Sequence, residues 1–192
     1  QVSYKCLYDQ FKYSSLYIYI ESNTTTPKQL TIGANFETQP VKSHDYYEPR
    51  VPGWMYVTPA YAFLNGWIST YYRKKFAIDV SLQGYITPGT KSSGYGFSVE
   101  PRYRISERLM ILYHLFYEKI MNDVGYVKDS TDGAENTVIL FGRRDKCIIT
   151  NILEANLMIT STMSIDLRAR HYWVSAPYFD FSTLRRDGTL LP

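Results

Sequence analysis

Charged side chains at alternating positions are the residues of this sequence best suited to chemistry. They are mixed in sign and stand in the middle of otherwise alternating segments: Asp79, Glu100, Arg102, Arg104, Glu118, Glu154, Asp166, Arg168 and Arg170. Gathered around one channel, they would filter or bind an anionic or sugar-like solute. A simpler interpretation is that they pair across neighbouring strands and fill a narrow barrel, because small barrels are filled by side chains. Both interpretations predict that this set faces a lumen.

Catalysis and metal binding find less support. Glycoside hydrolysis needs two carboxylates that converge across a cleft, and no spacing in the chain indicates such a pair. His44, His114 and His171 lie on distant segments, so we predict no metal site. We therefore expect no catalytic residues, no cofactor and no enzymatic activity. The acidic residues of the predicted loops are most simply solvated charges: Asp45, Glu48, Asp123, Asp129, Asp132 and Glu135.

Strands must position these side chains, because apolar and polar residues alternate with a period of two. The alternation is clearest in 30–37, 76–86, 95–105, 147–160 and 165–173. Weaker strands are predicted at 15–21, 55–65, 109–119 and 137–143. The predicted fold class is all-β, an antiparallel meander of about eight or more strands. Residues 1–192 form one domain, since all-β domains of this size are common.

Composition agrees with strands and excludes one class of partner. Tyr accounts for 19 of 192 residues and aromatics for 16%, which suits pleated, half-buried surfaces. The net charge of +3 comes from 21 basic and 18 acidic residues spread along the chain, so we expect no nucleic-acid partner. Cys6 and Cys147 leave two alternatives, one disulfide or two free thiols.

The apolar strand faces need a cover, because no helix-period segment is long enough to pack on a sheet. A soluble sandwich and a membrane barrel show the same alternation. Stretches of about nine to eleven residues match a tilted membrane-crossing strand, and aromatic residues cluster near strand ends. Connections also alternate in length, with tight turns at 105–109 and 160–164 and longer polar segments at 38–53, 87–93 and 120–136. These features favour lipid as the cover.

Part of the sequence resembles a known family. The residues concerned are Phe141-Gly142-Arg143-Arg144-Asp145, Asn151, the run 167–173, Asp187-Gly188 and the run 101–104. Together they resemble the C-terminal half of an uncharacterised outer-membrane family common in Bacteroidota. The resemblance implies an N-terminal carbohydrate-binding-like β-sandwich followed by a long membrane β-barrel, of which this chain is the later part. It implies location and fold, and it supplies no catalytic residues.

These observations lead to two hypotheses. The first is an integral outer-membrane β-barrel, or a fragment of a larger one, with a charged lumen and a role in transport, docking or assembly at the cell envelope. Its partners would be outer-membrane lipid and other envelope proteins. The alternative is a soluble extracytoplasmic β-sandwich or lipocalin-like module that binds a sugar or another small ligand. Detergent dependence and heat-modifiable gel migration distinguish the two.

Overall fold

The fold consists of β-strands. The computed structural model describes residues 1–8, 11–131 and 136–191. Within these ranges no helix is long and apolar enough to cross a membrane. The strands of the described ranges are β1 Val2–Cys6, β2 Tyr13–Thr25, β3 Thr31–Gln39, β4 Ser43–Asp45, β5 Tyr56–Thr58, β6 Tyr61–Ser69, β7 Phe76–Thr87, β8 Ser92–Arg104, β9 Leu109–Thr131, β10 Thr137–Met158, β11 Ser164–Ser175, β12 Tyr178–Leu184 and β13 Leu190–Leu191.

Eleven of these strands form one antiparallel sheet, in which chain neighbours are mostly sheet neighbours. Its order is β1-β2-β3-β6-β7-β8-β9-β10, after which β11 and β12 pair with successive parts of β10 and β13 pairs with β12. The prediction of an all-β antiparallel meander is confirmed. Within the described residues no pairing joins β1 to β11, so this sheet is open at both edges.

The two ends of the sheet differ in their connections. One end, here the turn end, carries only connections of four to six residues, at 26–30, 70–75, 105–108 and 159–163. The opposite end, here the loop end, carries the long connection 40–60 between β3 and β6. This connection contains the separate hairpin of β4 and β5. We call the whole connection, residues 40–60, the inner segment. Of the predicted long connections, the one at 38–53 is confirmed, whereas β7 and β8 are joined at the same end by only four residues, 88–91.

Three predicted boundaries were wrong. The segment 120–136 is not a polar loop, because β9 continues to Thr131 and pairs with β10 as far as that residue. The predicted strand 55–65 is two strands separated by Pro59 and Ala60, since proline interrupts a ladder of backbone hydrogen bonds. The connection at 87–93 is shorter than expected, with strand residues up to 87 and from 92 onwards.

The sheet curls around the inner segment. Seven strand spacings separate β2 from β12, about 34 Å in a flat sheet. A chain of contacts crosses the same gap in far less space: Ser14 Oγ donates to His44 O at 3.3 Å, His44 pairs with Val57, and Val57 N donates to Gly188 O at 2.9 Å. That path spans only about 20 Å. The polar face must therefore be concave, with the inner segment lying across it.

Two glycines make room for aromatic rings on the concave face. Gly33 lies opposite Trp67, and a Cβ built on it would stand 2.3 Å from that ring. Gly94 lies opposite Tyr85 in the same way, also with a 2.3 Å approach. Because only glycine leaves this space, the rings fold down over the neighbouring strand. The interior therefore holds large aromatic side chains close to the backbone.

Candidate functional site

The nine charged residues predicted to face a lumen all lie on the concave face. Register places Asp79 opposite Glu100 and Glu154 opposite Arg168. The others share these positions by strand parity, since residues two apart point to the same side. The placement of all nine residues on one face agrees with the alternation in the sequence.

Most of these charges have partners, chiefly near the turn end. Glu100 accepts from Arg102 at 3.1 Å and contacts His114 Nδ1 at 3.2 Å. Arg102 also stacks on the ring of Tyr72, whose hydroxyl donates to Asp79 at 2.8 Å. One connected group of charged and aromatic side chains thus links the 70–75 turn, β7, β8 and β9.

The other charged residues of the set also have side-chain partners within the described residues, except Arg104. Glu118 accepts from Gln83 at 2.9 Å, and Glu154 pairs with Arg168 at 3.1 Å. The last contacts are Asn156 with Asp166 at 2.6 Å and Arg170 over the ring of Tyr172. Arg104 is exposed at the turn end. These contacts favour the interpretation in which the charged side chains have partners and fill the interior. They argue against an open filter of unpaired charges.

The dry core of the described chain lies at the loop end. Trp54 and Tyr56 of the inner segment pack against Ile139 and Phe141 of β10 and Leu184 of β12. The rings of Tyr56 and Phe141 are 4.9 Å apart, and Phe141 is fully buried. Burial raises the pKa of Tyr56 to about 12, and the nearby carboxylate of Asp123 adds to the shift. The inner segment is therefore fixed in place by apolar packing.

Polar contacts hold the inner segment at both sides of the concavity. On one side, Tyr46 donates its hydroxyl to Tyr13 O at 3.0 Å. On the other, Glu48 accepts from the backbone N–H of Tyr126 at 2.9 Å. The turn between these contacts is fixed by Asp45, whose Oδ1 accepts from the N–H groups of Tyr47 and Glu48. Asp45 and Glu48 are thus structural, which corrects their interpretation as solvated loop charges.

A cluster of ions, missed by sequence reasoning, closes the loop end. Asp123 accepts from Arg144 at 2.6 Å and from Lys146 at 2.9 Å. Beside it, Arg143 donates to Thr90 O at 2.7 Å, and Asp145 accepts from the N–H of Asn122 at 2.9 Å. Asp123 is therefore no free loop carboxylate. The run of charged residues 143–146 could have indicated this cluster, because it continues β10 opposite the segment 120–136, where a loop was predicted.

Two other predicted loop carboxylates, Asp132 and Glu135, lie outside the described residues. Asp129 accepts a short hydrogen bond from the hydroxyl of Tyr126 at the exposed end of β9. Within the described residues no group of three or more His, Cys, Asp or Glu could hold a metal ion. Both cysteines, Cys6 and Cys147, are free thiols in the structure.

Between the inner segment and the concave face lies a chamber of about 520 Å³. Its wall comes from β1, β2, β3, β6, β7, β8 and β9, and its roof from the inner segment. Hydroxyl, amide and tyrosine side chains dominate the lining, whereas the charged network lies towards the turn end. The interior thus has the network around Glu100 towards the turn end and a chamber rich in hydroxyl and tyrosine groups towards the loop end. Parity predicted the shared face but gave no indication of this division.

The convex face is apolar and open. Leu64, Leu82 and Leu167 are each about 60% exposed, and exposed apolar residues also occur on the other strands of the large sheet from β1 to β11. Polar residues on this face satisfy one another: Tyr113 donates its hydroxyl to Asn151 at 2.5 Å, and Asn151 contacts His171 at 3.2 Å. Asn151, which interrupts the alternation of β10, is thereby explained.

Comparisons with known proteins give one result. No curated protein and no solved structure matches the chain. The model of one uncharacterised family, described as a domain of unknown function, matches residues 1–192. Membership of an uncharacterised family was predicted and is confirmed, while the Bacteroidota origin and the preceding sandwich domain stay predictions. The chain belongs to the family of domains of unknown function DUF5916.

Proposed function

We propose that this chain is the strand-rich part of an integral outer-membrane β-barrel whose polar interior serves the passage or docking of polar solutes at the cell envelope. One observation carries the proposal: the sheet curls with its polar face inside and its apolar face outside. A soluble protein curls the other way, because apolar surface is driven out of water. Lipid is the solvent that suits an apolar convex face.

The extent of the exposed apolar face supports this proposal. Soluble monomers expose contiguous apolar patches of roughly 300–600 Å² at most. Here exposed side chains run from Val2 on β1 to Trp173 on β11 without an intervening cover. In water such a surface would aggregate. In a bilayer it is the surface that outer-membrane barrels present.

Dimensions point the same way. Strands β7, β8 and β11 have 12, 13 and 12 residues, enough to cross the hydrocarbon core at the usual tilt, which takes about 9–11 residues. Outer-membrane barrels carry short turns on their periplasmic side and longer loops outside. The turn end would therefore face the periplasm and the loop end the exterior.

The open edges indicate how such a barrel would be completed. Both β1 and β11 lack a second neighbour within the described residues. Unpaired backbone groups are costly in hydrocarbon, so further strands would pair with these edges in the membrane. The inner segment would then constrict the lumen from the loop end. Catalysis forms no part of this proposal.

Fractionation tests the proposal directly. The protein is produced with its native signal, membranes are separated, and the outer-membrane fraction is extracted with carbonate and urea. Retention, together with migration on a gel that changes on heating, is the expected result. An outer-membrane porin and a periplasmic protein from the same cells serve as controls. Release with the periplasmic control would overturn the proposal and favour the soluble binding module.

A further inference from the structure

We propose that the chamber beneath the inner segment is a binding site for a short, uncharged oligosaccharide. The inference deepens the proposed function, and it rests on that function only for the side from which the ligand enters. It is drawn from the chemistry of the lining. The chamber of about 520 Å³ falls within the range of small-molecule sites, about 300–1,000 Å³.

Tyrosine rings line both the wall and the roof of the chamber. Tyr17, Tyr61 and Tyr85 stand on strands of the concave face, and Tyr46 and Tyr47 belong to the inner segment. A tyrosine offers an apolar ring face together with a hydroxyl. Sugars present the complementary combination, because their rings carry C–H groups on one face and hydroxyls around the edge. A ligand of that kind would lie between roof and wall.

Hydroxyl and amide groups fill the spaces between these rings. Ser15, Gln39 and Ser92 are buried polar residues of the lining. Such groups both donate and accept hydrogen bonds, which matches the dual character of sugar hydroxyls. Ser43, also in the lining, donates to Gln39 at 2.8 Å and so orients the amide. The polar groups are therefore held in fixed positions before any ligand arrives.

The charges of the chamber argue for an uncharged ligand. Lys5 lies over the ring of Tyr17, and Asp123 is balanced by Arg144 and Lys146. Asp45 is engaged by two backbone N–H groups of its own turn. A strongly charged solute would thus meet charged groups that are already in contact with the protein. The network around Glu100 and Arg102 lies apart from the chamber, towards the turn end.

Calorimetric titration of the purified full chain in detergent tests the site. The probes are maltotriose, cellotriose, xylotriose and laminaritriose, with trigalacturonate as a charged analogue. We expect saturable binding of at least one neutral trisaccharide, and weaker binding of the charged one. Tyr85→Ala should weaken that binding about ten-fold, equivalent to about 1.4 kcal/mol. Tyr95→Ala, on the opposite face of the next strand, should leave it unchanged.

Further outcomes keep the test decisive. If Tyr85→Ala fails to fold, Tyr47→Ala replaces it, because Tyr47 is largely exposed on the roof and should give a similar loss. Absence of saturable binding by all four neutral probes overturns the site, and so does equal or tighter binding of trigalacturonate. Neutral-sugar binding by a protein that stays monodisperse without detergent would sustain the site while refuting the membrane barrel. Membrane retention without binding would do the reverse.

Discussion

Leu82 is the position at which contact with lipid can be measured most directly. It stands in the middle of β7 on the convex face, beside Gly66 and Phe97, and is 66% exposed. Ile86 lies on the same face four residues nearer the loop end and is 54% exposed. At about 3.3 Å per residue and a tilt of about 40°, the two differ by about 10 Å in depth.

That difference in depth separates the two environments. Outer-membrane barrels present an apolar band about 25 Å tall, so Leu82 would stand near its middle and Ile86 near its edge. Leu82→Arg should then cost about 2–4 kcal/mol of folding free energy and Ile86→Arg about 0–1 kcal/mol. On a sheet surrounded by water, both exposed positions should accept arginine within about 0.5 kcal/mol.

Equilibrium unfolding in guanidinium, followed by tryptophan fluorescence in phosphatidylcholine vesicles, gives the required free energies. Leu82→Met is the matched control, because it keeps an apolar side chain of similar volume at the same depth. A free energy of unfolding for Leu82→Arg within error of that for Ile86→Arg would refute the lipid-facing assignment. Loss of stability in Leu82→Met as well would indicate packing instead of lipid contact.

Three further predictions concern the interior. Gly33→Ala should lower the free energy of unfolding by about 1–3 kcal/mol, because the new Cβ would stand 2.3 Å from the ring of Trp67. Gly66→Ala is the control and should be nearly neutral, because the nearest non-neighbouring atom lies 3.8 Å from its Cβ. Unfolding curves of the two variants test the difference. Phe141→Ala should cost about 3–5 kcal/mol and expose the inner segment to protease, and unchanged cleavage would count against the docked core. Burial raises the pKa of Tyr56 to about 12, so the neutral side chain stabilises the fold fully below pH 10, and this contribution is lost as the pH rises through 12. Proteolysis of the inner segment should therefore accelerate at high pH in the wild type and less so in Tyr56→Phe.

The faces of the strands were predictable because one physical constraint acts along their whole length. Side chains two residues apart share an environment, so the alternation of residue types in 76–86 and 95–105 predicts which residues face each side of the sheet. The observed register, with Val80 opposite Val99 and Leu82 opposite Phe97, pairs those predicted faces. Where both sides of a sheet differ in solvent, local sequence is sufficient to assign them.

Residues 123–131 of β9 were missed, although the strand 137–143 that pairs with them was predicted. Beyond Asn122, β9 continues past the end of its pairing with β8, and its polar side chains resemble those of a loop. The strand pair is held by long-range contacts, such as the hydrogen bond from the backbone N–H of Tyr126 to Glu48 and the packing of Tyr56 on Phe141. No periodicity within the segment records a partner that lies 70 or more residues away in the chain.

Some of the residues that carry the resemblance, Phe141, Arg143, Arg144 and Gly188, meet at that same place. Phe141 packs under the inner segment, Arg143 and Arg144 tie β10 to the 87–91 turn and to β9, and Gly188 approaches Val57 so closely that a Cβ would stand 2.7 Å away. Together these contacts join the inner segment, the 87–91 turn and β9 to the sheet around the chamber. The proposed binding site depends on these contacts, because they hold its lining in place before a ligand arrives.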